Sequence, residues 1–294
     1  MEFRVLQYFL AVAREESITK AATLLHITQP TLSRQLMQME EELGVKLLIR
    51  GKHNIQLTED GMLLRRRAQE IIDLTEKTQK ELMHGEEAVS GEISIGCGET
   101  KNMKPLSEMI ASFRRKYPDV NFEIYTAIAD DVKERLENGV LDMGLLLEPV
   151  EISRYHYLRM PLKEKWYVLM RKDSPLAQKQ KITPDDLANV PLIAAKRQSV
   201  RNVLENWFGH DRGKLNIVLT CNLSHNNQSV MVESGIGAAI VMDFSYNSDT
   251  LCIRPLEPEI ISGCVLVWKK NLTLSSAMVH FIAHIKTFLN ETEG

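Results

Sequence analysis

Apolar residues recur at helical spacing through roughly the first third of the chain, then give way to short strand-like runs. Phe3, Leu6, Phe9, Leu10 and Ala13 share one face of a first helix. Ser17 is placed to cap a second, "ITKAATLL", whose Ala21 and Ala22 permit close approach to a neighbour. Thr28 can cap a third helix. Pro30 falls in its first turn, where a missing N–H does little harm. Leu32, Leu36, Met39 and Leu43 make the stripe expected to be buried, and Gly44 ends the helix. "VKLLI" and "IQL" then flank "RGKHN", in which Gly51 and Asn54 suit a hairpin tip. The pattern is a helix-turn-helix with a basic β-wing, the alternative being a small helical domain with a polar surface.

From Leu57 to about Met83 a long helix is expected. Leu57, Gly61, Leu64, Ala68, Ile71, Thr75, Thr78 and Leu82 follow spacings of four and three, a heptad seam weakened by the glycine and threonines. "HGEEAVSGE" reads as a hinge. Beyond it, "EISIG", "VNFEIY" and "LDMGLLL" alternate with helical stripes, and the β-α-β order implies parallel strands with right-handed crossovers. A second set runs through "WYVLM", "PLIAA", "NIVLT" and "AAIVM", before "CVLVW" and a last helix lined by Met278, Phe281, Ile282, Ile285 and Phe288.

Composition changes little: 294 residues, 44% apolar and 26% charged, describe an ordinary globular chain of two or three units. The N-terminus reads as an amphipathic helix without a cationic leader, and no apolar run reaches membrane length, so a cytoplasmic protein is expected. Cys97, Cys221, Cys252 and Cys264 are scattered and expected to be reduced. Charge distribution says more than the net −3. No acid occurs from Lys20 to Met39, nor from Leu43 to Thr58, where Lys46, Arg50, Lys52 and His53 lie. A surface cleared of negative charge suits phosphate contact. Gln29, Thr31 and Arg34 are the candidates for base edges. Lys20, Thr28, Pro30, Ser33, Gln38, Arg50, Lys52 and His53 complete the expected DNA-facing set. Arg65, Arg66 and Arg67 could touch flanking DNA or form a solvated helix face.

The stretch "FLAVAREESITKAATLLHITQPTLSRQLMQMEEELGVKLLIRGKHNIQLTEDG" resembles the DNA-binding region of the LysR-type transcriptional regulators. The order of its pieces is the family's: "AA", then "TQPTLSRQL", "EEELGVKLL", the wing and "LTEDG". The resemblance implies an α+β winged helix-turn-helix at 1–57 and a linker helix with hinge at 58–90, pairing with that of a second subunit. It implies a periplasmic-binding-protein-like α/β effector domain at 91–294, with lobe I at 91–162 and 265–294 and lobe II at 163–264. Expected partners are double-stranded DNA bearing an inverted repeat, a second copy of the chain in dimers and tetramers, a small-molecule effector, and RNA polymerase as a further candidate.

In such sheets ligands sit at the carboxyl ends of strands, beside helix N-termini. That places Gly98, Thr100, Ile128, Leu147, Lys196, Gln198, Ser199, His225, Asn226 and Val241 around the expected effector. Thr100 and Ser199 can act as caps, ligand contacts or both, and the family uses these two positions for ligand. Two helix N-termini converging on one space favour a small polar anion, with an amine-bearing or zwitterionic molecule as the alternative. The sequence has no G-x-S-x-G, P-loop, G-x-G-x-x-G or metal spacing, so neither enzyme nor cofactor is expected. Three other readings stay open: a solute-capture protein, a DNA-binding regulator without an inducer, and one answering to oxidation of Cys97 or Cys221.

Overall fold

The computed structural model describes residues 2–50, 55–83, 89–209, 215–222, 225–242, 248–270 and 273–292. The chain forms two compact units, Met1–Met83 and His84–Gly294.

The first unit contains α1 (Phe3–Glu15), α2 (Ile18–Leu24), α3 (Gln29–Leu43), β1 (Leu48–Arg50), β2 (Ile55–Leu57) and α4 (Glu59–Met83). Leu6 and Phe9 of α1 are buried as expected, joined by Val5 and Val12, whereas Phe3 is exposed. Ser17 Oγ accepts the amide of Lys20 at 3.3 Å and caps α2, whose Ala21 and Ala22 are buried. Thr28 Oγ1 accepts the amide of Thr31 and caps α3, with Pro30 in the first turn. Gly44 closes the helix in the left-handed region, φ 71°.

The inward stripe of α3 departs from expectation at its end. Leu43 is exposed, and Glu40 takes the buried place beyond Leu36 and Met39. A charge so enclosed needs donors. Its Oε1 accepts the amides of Leu47 (2.8 Å) and Leu48 (3.1 Å), and its Oε2 accepts from Lys46 Nζ at 3.1 Å. Glu40 therefore ties the end of α3 to the root of the wing, where β1 and β2 pair antiparallel with Leu48 opposite Leu57. The hairpin tip, Gly51 to Asn54, lies outside the described residues and takes Lys52 and His53 with it.

The seam expected along α4 is corrected in its first half. Leu57 belongs to β2, while Leu64 and Ala68 pack into this unit's own core. Gly61 is there for a close approach: a Cβ on it would lie 2.2 Å from the carbonyl oxygen of Leu47. Thr58 sets the geometry, accepting the amide of Gly61 at 3.0 Å and donating to the carbonyl of Lys46 at 2.6 Å. The apolar surface left outside this core includes Leu63, Ile71 and Leu74. The side chain of Leu82 and the hinge residues 84–88 lie outside the described residues.

The second unit has two sheets. Its elements are β3 (Gly91–Cys97), α5 (Met103–Lys116), β4 (Val120–Thr126), α6 (Ala129–Glu137), β5 (Met143–Leu147), β6 (Tyr155–Arg159), β7 (Glu164–Arg171), α7 (Pro184–Leu187), β8 (Leu192–Ala195), α8 (Gln198–Phe208), β9 (Ile217–Cys221), α9 (His225–Glu233), β10 (Ala238–Met242), β11 (Leu251–Pro255), β12 (Ile261–Ser262), β13 (Cys264–Lys269) and α10 (Ser276–Thr292). The first sheet runs β4-β3-β5-β13-β6, with β3 parallel to β4 and β5 and β13 antiparallel to its neighbours. The second runs β11-β7-β10-β8-β9, with β12 also on β7. Each sheet defines a lobe. Phe113 of α5 and Phe281 of α10 meet at 5.0 Å between ring centres in the first lobe's core.

The chain passes between lobes twice, before Glu164 and after Ser262, residues that pair across β7 and β12. Glu164 is fully buried. Its Oε1 accepts the Thr100 hydroxyl at 2.6 Å and the Lys101 amide at 2.8 Å. Asn102 closes the staple: its Nδ2 donates to the Leu162 carbonyl and its Oδ1 accepts the Leu162 amide. The crossover is thus fastened to the N-terminal end of α5.

Gly61→Ala should destabilise the first unit by about 1–3 kcal/mol, because neither the Leu47 carbonyl nor α4 has room to move. Urea unfolding followed by circular dichroism would check it. Burial by itself would raise the Glu40 pKa, but the Leu47 and Leu48 amides and Lys46 together outweigh it and hold it below the ordinary carboxylate range. A depressed folded pKa stabilises above the unfolded value of about 4.3 and stops stabilising as pH falls through the folded one. The stability gap between the parent and Glu40→Gln should therefore be widest near neutral pH and close below about pH 4.

Candidate functional site

Two surfaces carry the chemistry. On the first unit, Lys20, Thr28, Gln29, Pro30, Thr31, Arg34 and Gln38 are all exposed. Thr31 and Arg34, three residues apart, are neighbours on the surface of α3, Gln29 lies at its start, and α3 has no acid in its first turn. Thr28 and Thr31 are joined hydroxyl to hydroxyl at 2.8 Å, so they present one shared polar patch. Gln38 donates to Glu42 at 3.3 Å. Ser33 is the exception: it is buried on the inner side of α3, which removes it from the expected DNA-facing set. The Arg50 side chain, like Lys52 and His53, lies outside the described residues.

In the second unit a cavity of about 80 Å³ opens between the lobes. Gly98, Ile128, Leu147 and Lys196, all expected from strand ends, line it. Ala127, Leu145, Leu146, Ala195, Val200, Cys221 and Met242 give it an apolar body, and Glu99, Glu148, Arg197 and Asn222 add polar groups. Val241 borders a smaller neighbouring cavity instead. Gln198 is turned to Asn202 and Arg201 along α8. Asn226 is exposed and absent from the lining, and the side chain of His225 lies outside the described residues.

The expected convergence of two helix N-termini is corrected at Thr100. That residue is buried, its hydroxyl is committed to Glu164, and it does not reach the cavity wall. The start of α5 is already occupied by a carboxylate of the protein itself. At α8 the situation is the reverse. Its N-cap, Arg197, makes no side-chain capping bond and no acid stands in its first turn. Ser199 Oγ, enclosed in that turn, finds no hydrogen-bond partner among the described residues.

Arg197 Nε instead reaches Asp130 Oδ1 of α6 across the cleft, at 3.3 Å. Glu148 leaves β5 with its Oε1 3.2 Å from Arg159 Nη1. A Cβ on Gly263 would fall 2.2 Å from Glu148 Oε2, so the glycine makes space for that carboxylate. The set expected from strand ends did not include Glu99, Arg197 or Glu148. The position of Glu148 one residue beyond the third strand was the available signal.

All four cysteines are free. Burial pushes the thiols of Cys97 and Cys221 up, and that of Cys264 to about 12. Raised thiol pKa values leave little thiolate, the reactive form, which disfavours the oxidation-sensing alternative.

Comparison with known proteins agrees with this division. The model for the "bacterial regulatory helix-turn-helix protein, lysR family" matches residues 3–62, and that for the "LysR substrate binding domain" matches 86–290. The chain is 28% identical over 301 residues to the Hca operon transcriptional activator HcaR of Escherichia coli K12, covering 97% of each chain. It is 29% identical over 244 residues to the transcriptional activator IlvY of Salmonella typhimurium, covering 82% of each. Among solved structures, CbnR, described as a LysR family transcriptional regulator, superposes with a TM-score of 0.75 at 20% identity, covering 98% of this chain and 99% of that one. CbnR complexed with its target DNA gives 0.72, with 98% and 100% covered.

Arg34→Ala should weaken binding to a specific duplex by about 1–3 kcal/mol and relax base preference at one position. Lys20→Ala, which removes an exposed cation of the expected DNA-facing set, should weaken specific and non-specific binding alike and flatten the salt dependence. Mobility-shift titration at two salt concentrations distinguishes the two.

Proposed function

Because the chain belongs to the LysR family of bacterial transcriptional regulators, we propose that it reads an inverted-repeat promoter site as a two-fold oligomer and answers to a small organic carboxylate held between its two lobes. Sequence-specific DNA binding and an effector-binding domain come with the family. The site residues, the assembly and the ligand are the proposal.

The observation that carries the ligand reading is the start of α8. Lys196 and Arg197 line a largely apolar cavity where α8 begins with no acid in its first turn, and the Ser199 hydroxyl, enclosed in that turn though not on the cavity wall, has no partner among the described residues. A helix start with two cations is a receptor for an anionic group. Ile128, Leu147, Val200 and Met242 would hold an apolar body. The switch follows from the ligand touching both lobes: it favours the lobe arrangement it fits better, and only that difference in affinity moves the equilibrium.

One α3 covers one half-site, so two copies related by a two-fold axis fit half-sites about one helical turn apart. The exposed Leu63, Ile71 and Leu74 of α4 give a second subunit an apolar surface to cover. Pairing of dimers into a tetramer, and contact with RNA polymerase at an activated promoter, extend the reading. HcaR and IlvY are both named as activators.

Val200→Trp should fill the cavity and abolish the response to inducer while leaving basal DNA affinity within about twofold. Footprinting of the parent on promoter DNA, with and without inducer, should show two protected half-sites whose pattern changes. In the variant the pattern should stay fixed. Protection of a lone half-site by a monomer, or an unimpaired response in Val200→Trp, would overturn the proposal.

A further inference from the structure

Charge is divided unequally between the two walls of the cleft. The lobe containing β3, β5 and α6 brings Glu99 and Glu148 to the lining, with Asp130 at its edge. The other lobe brings Lys196 and Arg197. The helix starts follow the same division. At α5 the Glu164 carboxylate already accepts the Lys101 amide. At α6 the first turn carries Asp130 and Asp131. Both N-terminal partial charges on that wall are therefore answered from within the protein. On the opposite wall α8 begins without an acid in its first turn.

A purely anionic occupant would satisfy one wall and leave its charge against the carboxylates of the other. The lining itself sets two acids, Glu99 and Glu148, against two cations, Lys196 and Arg197. An added net charge in a partly apolar space would be uncompensated, whereas a molecule carrying both signs leaves the balance intact. Resting on the reading of the cleft as the effector site, we propose that the occupant is amphoteric. Its carboxylate lies at the start of α8 against Lys196 and Arg197. A cationic nitrogen faces Glu148 and Glu99, and a short apolar body lies between Ile128 and Met242. Glu148 is the specificity-determining residue, and Gly263 allows its carboxylate to lie where it does.

The test uses the full-length protein and matched probes: the standard amino acids, the carboxylic acids that lack their amino group, and the amines that lack their carboxylate. Binding is read by calorimetry and by thermal shift. At least one apolar amino acid should bind about tenfold or more tightly than both of its counterparts. In Glu148→Gln that preference should collapse and the bare carboxylate should bind as well as the amino acid. If a bare carboxylate binds the parent as tightly as its amino acid, or if no member of the set binds, the proposal is overturned. Val200→Trp separates the two readings. Binding that survives it lies outside the cleft and sinks the effector-site reading itself. A bare carboxylate that binds the parent and is lost in Val200→Trp leaves the cleft standing and removes only the amphoteric assignment.

Discussion

A carboxylate withdrawn from water must be met by donors, and in each unit one buried glutamate organises the backbone around that requirement. Glu40 gathers the Leu47 and Leu48 amides and so fixes where the wing leaves α3. Glu164 gathers the Thr100 hydroxyl and the Lys101 amide and so fixes where the chain crosses from one lobe to the other. Neither acid can be removed alone without stranding backbone donors in a poorly solvated place. The elements that do the reading and the binding are positioned by these two anions as much as by apolar packing.

The helices of the first unit were legible because their signals are local. Ser17, Thr28 and Gly44 each act within a few residues, and the structure places all three as the sequence suggests. The role of Glu40 was less visible because its partners are main-chain amides on the far side of a turn. Its spacing of four from Leu36 was the clue, since it shares that residue's face. Ser33 was misplaced for a related reason: a hydroxyl beside Arg34 in a largely polar stretch looks solvent-facing until helix phase sets it on the side of Leu36. The α4 seam had the right period, but period cannot say whose core a stripe belongs to. The first part of this one serves its own unit.

In the second unit the alternation of strands and helices was readable, and so were the strand ends that line the cleft. The partnership of Thr100 with Glu164 joins a residue of the first lobe to the start of the second, 64 positions along the chain, and no local pattern announces it. The hint was the alternation of Glu164 with Trp166 and Val168, which sets an acid on the buried face of a strand. Recognising it changes the electrostatic picture, since an anion supplied by the protein neutralises the helix start that had looked available to a ligand.

The Arg197–Asp130 pair bears on how long the regulator would hold a signal. With Asp130 60% exposed, such a pair contributes about 0–1 kcal/mol. That is a bias of at most roughly fivefold toward the arrangement in which the lobe edges touch. By itself the pair is a small obstacle to the parting of those edges. Persistence of the bound state would then lie in the ligand's own contacts. If the cleft holds the effector as proposed, the pair adds little to the lifetime of the bound state.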